Sequence, residues 1–432
     1  MKVYPSFIFL ITVFLSACGT VEVSVLRDLP TASVPVYQTD PVVVTQTPPP
    51  GTRRAVVAYT RDGNAFVWDE VSGQSKTVFV SGDVTRVAMS ADGQVIALVR
   101  QIGPDVALWA VDWNGRNPRQ LVSAETIRRR LTTVEFDTEV IGSGIGELEW
   151  LPGTHRLVYN GTFRIGSGDY FASPDVYLLD ADSLSDAVIA RGVEIDPVWQ
   201  MDIVPAPDGQ QLALITSTAL HFLNVDGSSR REDALTYSQV GVSSPPVLMP
   251  TGIWTQDARS FLITGSLEMD EEFNLGFSIW RVPADGSPSE ALTPPLTGRP
   301  DSVRFSPDGK FVAFVQKSEG SLIAPLAGDP RPLAAAYRLE PDRYANLHWS
   351  PGGDAFTKDL LQLCPNASRD SEICETPFNT HVSGVRSVQW LDGQRALFLT
   401  NAPSVLFLSR LHNPPVLIDF SGSFDGVLVE QN

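Results

Sequence analysis

The feature that most constrains this chain is a motif that recurs from residue 54 onward: an apolar strand, a tight turn usually written Asp-Gly, and a second apolar strand. It reads Val87 to Val99 (VAMSADGQVIALV), Ile203 to Ile215 (IVPAPDGQQLALI), Gly252 to Ile263 (GIWTQDARSFLI), Val303 to Val315 (VRFSPDGKFVAFV) and Val388 to Leu399 (VQWLDGQRALFL). Weaker copies run from Leu148 to Tyr159 and from Leu347 to Phe356. A unit repeated this often is one supersecondary element that buries its apolar surface against its neighbours. Alternating apolar residues predict strands buried on one face, and Asp or Gly supplies the positive φ needed to reverse the chain within a few residues. A bulky side chain stands just before the turn in most copies: Met89, Trp150, Trp254, Phe305, Trp349 and Trp390. Packing between neighbouring sheets requires volume at such a place.

A second hairpin follows in most repeats, around Ser72-Gly73, Asn114-Gly115, Asp226-Gly227 and Asp285-Gly286. Two hairpins make four antiparallel strands, and four-stranded units at a period of roughly 40 to 60 residues are blades of a β-propeller. The expected fold is therefore all-β: a single β-propeller over residues 54–432 with eight four-stranded blades, seven being the alternative. Ala55 to Val80 supplies three strands, and Gly426 to Glu430 (GVLVE) is a lone one. Pairing the two closes the ring, because an open ring leaves unpaired strand edges. The S-x-D-G and S-P-D-G turns, with an aromatic residue ahead of them, resemble the WD-type propeller repeats of TolB and its relatives. The resemblance covers residues 54–432 at the level of the repeat; the α/β domain that precedes the propeller in TolB has no counterpart.

The amino terminus predicts a compartment. Lys2 is the one charge in residues 1–17, and the apolar run Phe7 to Ile11 continues after Thr12 with Val13, Phe14 and Leu15. This is short of the ~20 residues a bilayer span needs and matches the apolar region of a secretory signal. The run ends Leu15-Ser16-Ala17-Cys18-Gly19, which resembles the lipobox of bacterial lipoproteins. The resemblance implies that Cys18 is diacylated and becomes the first residue after cleavage; an ordinary secretory signal with an unmodified cysteine is the alternative. Residues 18–53 then read as a lipidated cysteine and a flexible tether, with Pro30, Pro35, Pro41 and Pro48 to Pro50 among polar residues and no core-forming pattern. The expected location is the cell envelope, on the outer side of the cytoplasmic membrane or at the outer membrane.

Charge narrows the partners. The net charge is −18, and removal of Lys2 with the signal makes it −19, so nucleic acid and anionic lipid surfaces are repelled. Membrane contact is expected through the lipid on Cys18. Cys364 and Cys374 remain and are expected to form a disulfide in an oxidising compartment, with two independent thiols as the alternative. No metal site is expected, because no His or further Cys stands near enough in sequence to complete one.

Strand direction alternates within a blade, so the Asp-Gly turns share one face while second-to-third loops and blade-to-blade links share the other. The longer segments fall on that second face: 123–146 and 238–250 as links, 160–174 and 266–276 as loops. Insertions crowding one face mark a binding surface. Within 160–174, Phe163, Tyr170 and Phe171 lie among glycines and suit stacking on a sugar or peptide, or else pack beneath their own loop. Glu268, Asp270, Glu271 and Glu272 form an acidic tip without calcium-loop spacing, and Arg128 to Arg130 cap a short helix or face solvent. No G-x-S-x-G elbow and no sialidase-type Asp box occur, and His155, His221, His348, His381 and His412 are scattered over different repeats. No catalytic residue and no cofactor are assigned. The expected function is a binding or scaffold module for a protein or glycan at the cell envelope. The alternative is a hydrolase or lyase on glycan or peptide, with acids converging at the loop-rich mouth.

Overall fold

The structure is a computed structural model and describes residues 53–131, 140–166, 170–191, 201–237, 249–269, 275–297, 303–316, 320–326, 331–332, 348–353, 355–358, 362–365, 385–400, 405–410, 413–420 and 424–429. Among these residues the strands form eight antiparallel sheets, here numbered first to eighth in chain order. Six have four strands, the fifth carries one short extra pairing, and the seventh has three. Neighbouring strands follow one another in sequence, as hairpins require. The first sheet is the exception: its order is Gln74–Phe79, Asn64–Asp69, Arg54–Arg61, Phe424–Val429. The last of these strands pairs antiparallel with Arg54–Arg61 in a register running from Arg54↔Val429 to Tyr59↔Phe424.

The core is a series of apolar layers, each shared by two sheets. Val56, Ala58 and Val67 of the first sheet pack with Val87, Ile96 and Leu98 of the second. Corresponding layers join second to third, third to fourth, fourth to fifth, fifth to sixth, and sixth to seventh. Another joins the eighth to the first, with Leu397, Leu399, Leu406 and Leu408 against Ala55, Val57, Tyr59 and Trp68. The middle strands differ here from the one-sided burial expected of them. Val95 to Val99, Leu212 to Ile215 and Arg395 to Thr400 are buried at every position. In Arg54–Arg61 the odd positions face the eighth sheet and the even ones face the second. A sheet with neighbours on both sides needs apolar residues in both phases, so its strands read as continuous apolar runs.

The turns are built locally. Ser90 Oγ donates to Asp92 Oδ1 at 2.6 Å and accepts the Val95 N–H at 3.0 Å, while Asp92 Oδ1 accepts the Gln94 N–H at 3.0 Å. Ser306 and Asp308 repeat this arrangement at 2.6, 2.9 and 3.1 Å, and Thr255 and Asp257 do so at 2.7, 3.1 and 3.1 Å. Gly93 and Gly309 follow with φ of 69° and 68°; the fifth sheet has Ala258 in that position at φ 57°.

The bulky anchors do more than fill space. Trp254 Nε1 donates to the Val204 carbonyl at 2.9 Å, Trp349 Nε1 to Arg304 at 3.0 Å, and Trp390 Nε1 to His348 at 2.9 Å. Each indole thus reaches the first strand of the preceding sheet and satisfies a main-chain acceptor there, adding direction to a non-directional apolar contact.

Candidate functional site

Residues 160–174, expected to be a loop, largely continue a hairpin. Arg156–Ile165 and Tyr170–Asp180 pair as Tyr170↔Arg164, Phe171↔Phe163 and Ala172↔Thr162. Phe163 and Phe171 are 1% and 7% exposed, stack on each other with centroids 5.4 Å apart, and belong to the core between the second and third sheets. These two rings are therefore structural rather than a ligand platform. The helix Ala124–Leu131, capped by Ser123 Oγ accepting the Thr126 N–H at 3.1 Å, packs Ile127 and Leu131 into the same core. Arg129 is exposed, whereas its two neighbours are tied down. Arg128 donates to Asp105 at 2.9 Å and to the Val140 carbonyl at 2.6 Å; Arg130 donates to Asp186 at 2.5 Å and to the Tyr159 hydroxyl.

Cys18, Cys374, Asp270 to Glu272, His381 and His412 lie outside the described residues. Cys364 is in Gln362–Pro365, opposite Phe356. Among the described histidines, burial holds His221 below the usual imidazole range, while burial and then Arg304 push His348 down to about 4. His155 is held on both sides, by Asp182 at 2.8 Å from Nδ1 and by Asp92 at 2.9 Å from Nε2, on the face of the Asp-Gly turns.

A cleft of about 490 Å³ opens where the first sheet meets the eighth, lined by Tyr59, Arg61, Phe66, Ser75, Asp419 and Phe420 among others. A two-residue turn sets it up. Asp62 and Gly63 have φ of 51° and 70° and join Arg61↔Asn64, the geometry that suits the twist of a hairpin. A Cβ on Gly63 would lie 2.2 Å from the Gly82 carbonyl carbon, so no larger residue fits. The turn sets Tyr59 opposite Phe66, and their rings stack at 5.3 Å. The Arg61 guanidinium lies 4.3 Å above the Phe66 ring, and its Nη1 donates to both oxygens of Asp419 at 2.8 Å. Tyr59 Oη also donates to Asp419, which in addition accepts the Phe420 N–H at 2.6 Å. Burial first, then the bond to Asp419, pushes the Tyr59 phenol far above its ordinary range, so it stays a protonated donor. Asp419 is 8% exposed and already accepts several donors, which suits it to holding Arg61 rather than moving protons.

Arg61 sits at the second-to-third turn of its sheet, counting from Phe424–Val429, and Asp419 ends the outer strand of the eighth sheet before the link. Both belong to the face of loops and links. Sequence reasoning missed this pairing because the residues are 358 positions apart; Asp62-Gly63 marks the turn but not its partner.

A second polar cluster lies on first strands. Arg86, Glu147 and Asp202 each stand three residues before an anchor position, Met89, Trp150 and Pro205, which pair with Ile96, Leu157 and Leu212. They therefore occupy equivalent places in the second, third and fourth sheets. Glu147 lies in a bulge between Ile145 and Leu148, where its N–H donates to Asn160 Oδ1 at 2.7 Å. Arg86 donates to the Gly146 carbonyl at 2.8 Å. Burial and then the Asp202 carboxylate push the Glu147 carboxyl up, with Arg86 acting against them.

Repeated antiparallel sheets with apolar layers between them define the class, a β-propeller fold. No protein-family model matches the sequence, and neither does any curated protein. A crystal structure of a eukaryotic initiation factor aligns over 88% of this chain and 100% of that chain, with 10% identity and a TM-score of 0.51, which shows the fold alone. TolB from Acinetobacter baumannii aligns over 64% of this chain and 62% of its own, at 15% identity and a TM-score of 0.33. An oligogalacturonate lyase in complex with manganese aligns over 84% and 82%, at 11% identity and a TM-score of 0.44.

Proposed function

We propose that this chain is a lipid-anchored, extracytoplasmic β-propeller that acts as a binding or scaffold module for a protein or glycan at the cell envelope. The observation that carries the reading is the cleft between the first and eighth sheets, on the loop-and-link face. There an arginine held in place by Asp419 and Phe66 stands beside Leu417 and Phe420, which are 47% and 65% exposed. A pinned cation next to exposed apolar side chains is a recognition surface, whereas Asp419 is occupied by donors. In this reading the sheets are eight blades and Phe424–Val429 closes the ring; the shared core of first and eighth sheets supports that closure. Acyl chains on Cys18 hold the domain at the membrane at about 0.8 kcal/mol per buried methylene.

The test is crosslinking in the native host followed by identification of the partner, alongside fractionation of Cys18→Ala. Release of that variant from the membrane fraction and loss of the crosslink when Phe420 is replaced support the reading. Retention in the membrane, or crosslinks unaffected by changes on this face, would count against it. A second reading, a hydrolase or lyase, draws on the Glu147 carboxyl beside Asp202. Turnover of a glycan or peptide that Glu147→Gln abolishes would favour it.

A further inference from the structure

We infer that the cleft between the first and eighth sheets takes an extended peptide segment carrying one carboxylate next to an apolar side chain; this rests on the binding-module reading. The cation is prepared for it. Arg61 uses Nη1 alone on Asp419, and its Nε and Nη2 make no further hydrogen bond among the described residues. The side chain is 37% exposed, with its guanidinium carbon 4.3 Å from the Phe66 ring centroid. An arginine whose second edge meets no acceptor among the described residues, and whose position is already held, matches the two oxygens of a carboxylate at small entropic cost. Asp419 is compensated by Tyr59, Arg61 and the Phe420 N–H, so a second carboxylate meets a bridging guanidinium rather than a bare anion.

Two observations favour a peptide over an acidic glycan. The cleft lies between Gln74–Phe79 and Asn413–Asp419, which are the outer strands of their sheets, so among the described residues each has a backbone edge that no strand of its own sheet occupies. An extended peptide brings main-chain donors and acceptors to such edges; a sugar does not. The rim also presents exposed apolar side chains, Leu417 and Phe420, beside the cation. The chain's charge of −18 repels polyanions, which limits the ligand to an isolated acid beside an apolar residue.

The experiment pans a random-peptide phage library on the purified mature chain and measures the selected peptides free in solution by fluorescence anisotropy. The expected peptides share an Asp or Glu adjacent to an aliphatic or aromatic residue. Arg61→Gln should weaken them roughly tenfold or more, the scale of a charge-assisted bond. Changing the peptide acid to its amide should do the same, without adding to Arg61→Gln. Because Arg61 also steadies Asp419, Phe420→Ser provides a second test at an exposed residue and should weaken binding several-fold. No enrichment, peptides without an acid, affinity indifferent to Arg61 and Phe420, or a preference for uronate oligomers would each overturn the inference. A host crosslink at another part of the same face would overturn it and leave the binding-module reading standing.

Discussion

The ion pair Glu70–Arg395 joins the first sheet to the eighth and offers the sharpest test of how that junction is held. Arg395 Nη1 donates to Glu70 Oε2 at 2.6 Å, and the two residues are 6% and 7% exposed. Glu70 also accepts the Ala55 N–H at 2.9 Å, and Arg395 donates to the Arg53 carbonyl and to Asp392, both at 2.8 Å. Replacing Arg395 with Met strips the guanidinium from a buried carboxylate, which costs about 3–5 kcal/mol. The Asp392 contact adds little, because that carboxylate is 33% exposed. At ~2.1 cal/mol/K per residue, a body of about 380 residues has an unfolding entropy near 0.8 kcal/mol/K, so the melting temperature should fall by about 4–6 °C. The discriminating measurement is the double variant Glu70→Leu with Arg395→Met, followed by calorimetry with both singles. Removing both charges restores an apolar junction and should recover most of the loss. A double variant no more stable than Arg395→Met would refute the buried-charge argument and place the cost in lost packing. A single variant that melts with the parent would show that the junction does not depend on the pair.

Four further outcomes are expected. His155 bridges Asp92 and Asp182; partial burial lowers its pKa, but the two carboxylates outweigh that and raise it above 6.5, so the bridge is fully present below that value and is lost as pH rises through the raised one. His155→Gln should therefore destabilise more at pH ~5.5 than at ~8.5, and an equal deficit at both would contradict the bridge. Ala258→Gly should be neutral to stabilising by up to about 1 kcal/mol, since φ 57° strains an L residue; Gly309→Ala, at φ 68° with Leu262 Cδ1 only 3.1 Å from the added carbon, should destabilise by about 1 kcal/mol or more in denaturant titrations. Trp349→Phe removes the bond to the Arg304 carbonyl and should cost at least ~1 kcal/mol; an unchanged midpoint would show that the indole contributes shape alone.

The all-β architecture was legible in the sequence because its evidence is local. Ser90, Asp92 and Gly93 complete a turn with partners no more than five residues away, and the same residues recur at 306, 308 and 309. The anchor tryptophans were legible as packing residues, but their carbonyl acceptors were not: Val204, Arg304 and His348 are 42 to 50 residues upstream. Phe163 and Phe171 show the opposite limit. Glycine-flanked aromatics look like a loop until the hairpin register sets them face to face inside the core.

By itself, then, the sequence determined the hairpins, their repetition and the apolar character of the strands, since these depend on backbone conformation and hydrophobicity within a few residues. Tertiary structure alone decided which apolar phase faces which neighbour in Arg54–Arg61, and it brought Glu70 to Arg395 across 325 positions and Arg61 to Asp419 across 358. Contacts between the two ends of a chain leave no periodic trace in either end. They exist only once the first and eighth sheets share a core, and the cleft formed there exists for the same reason.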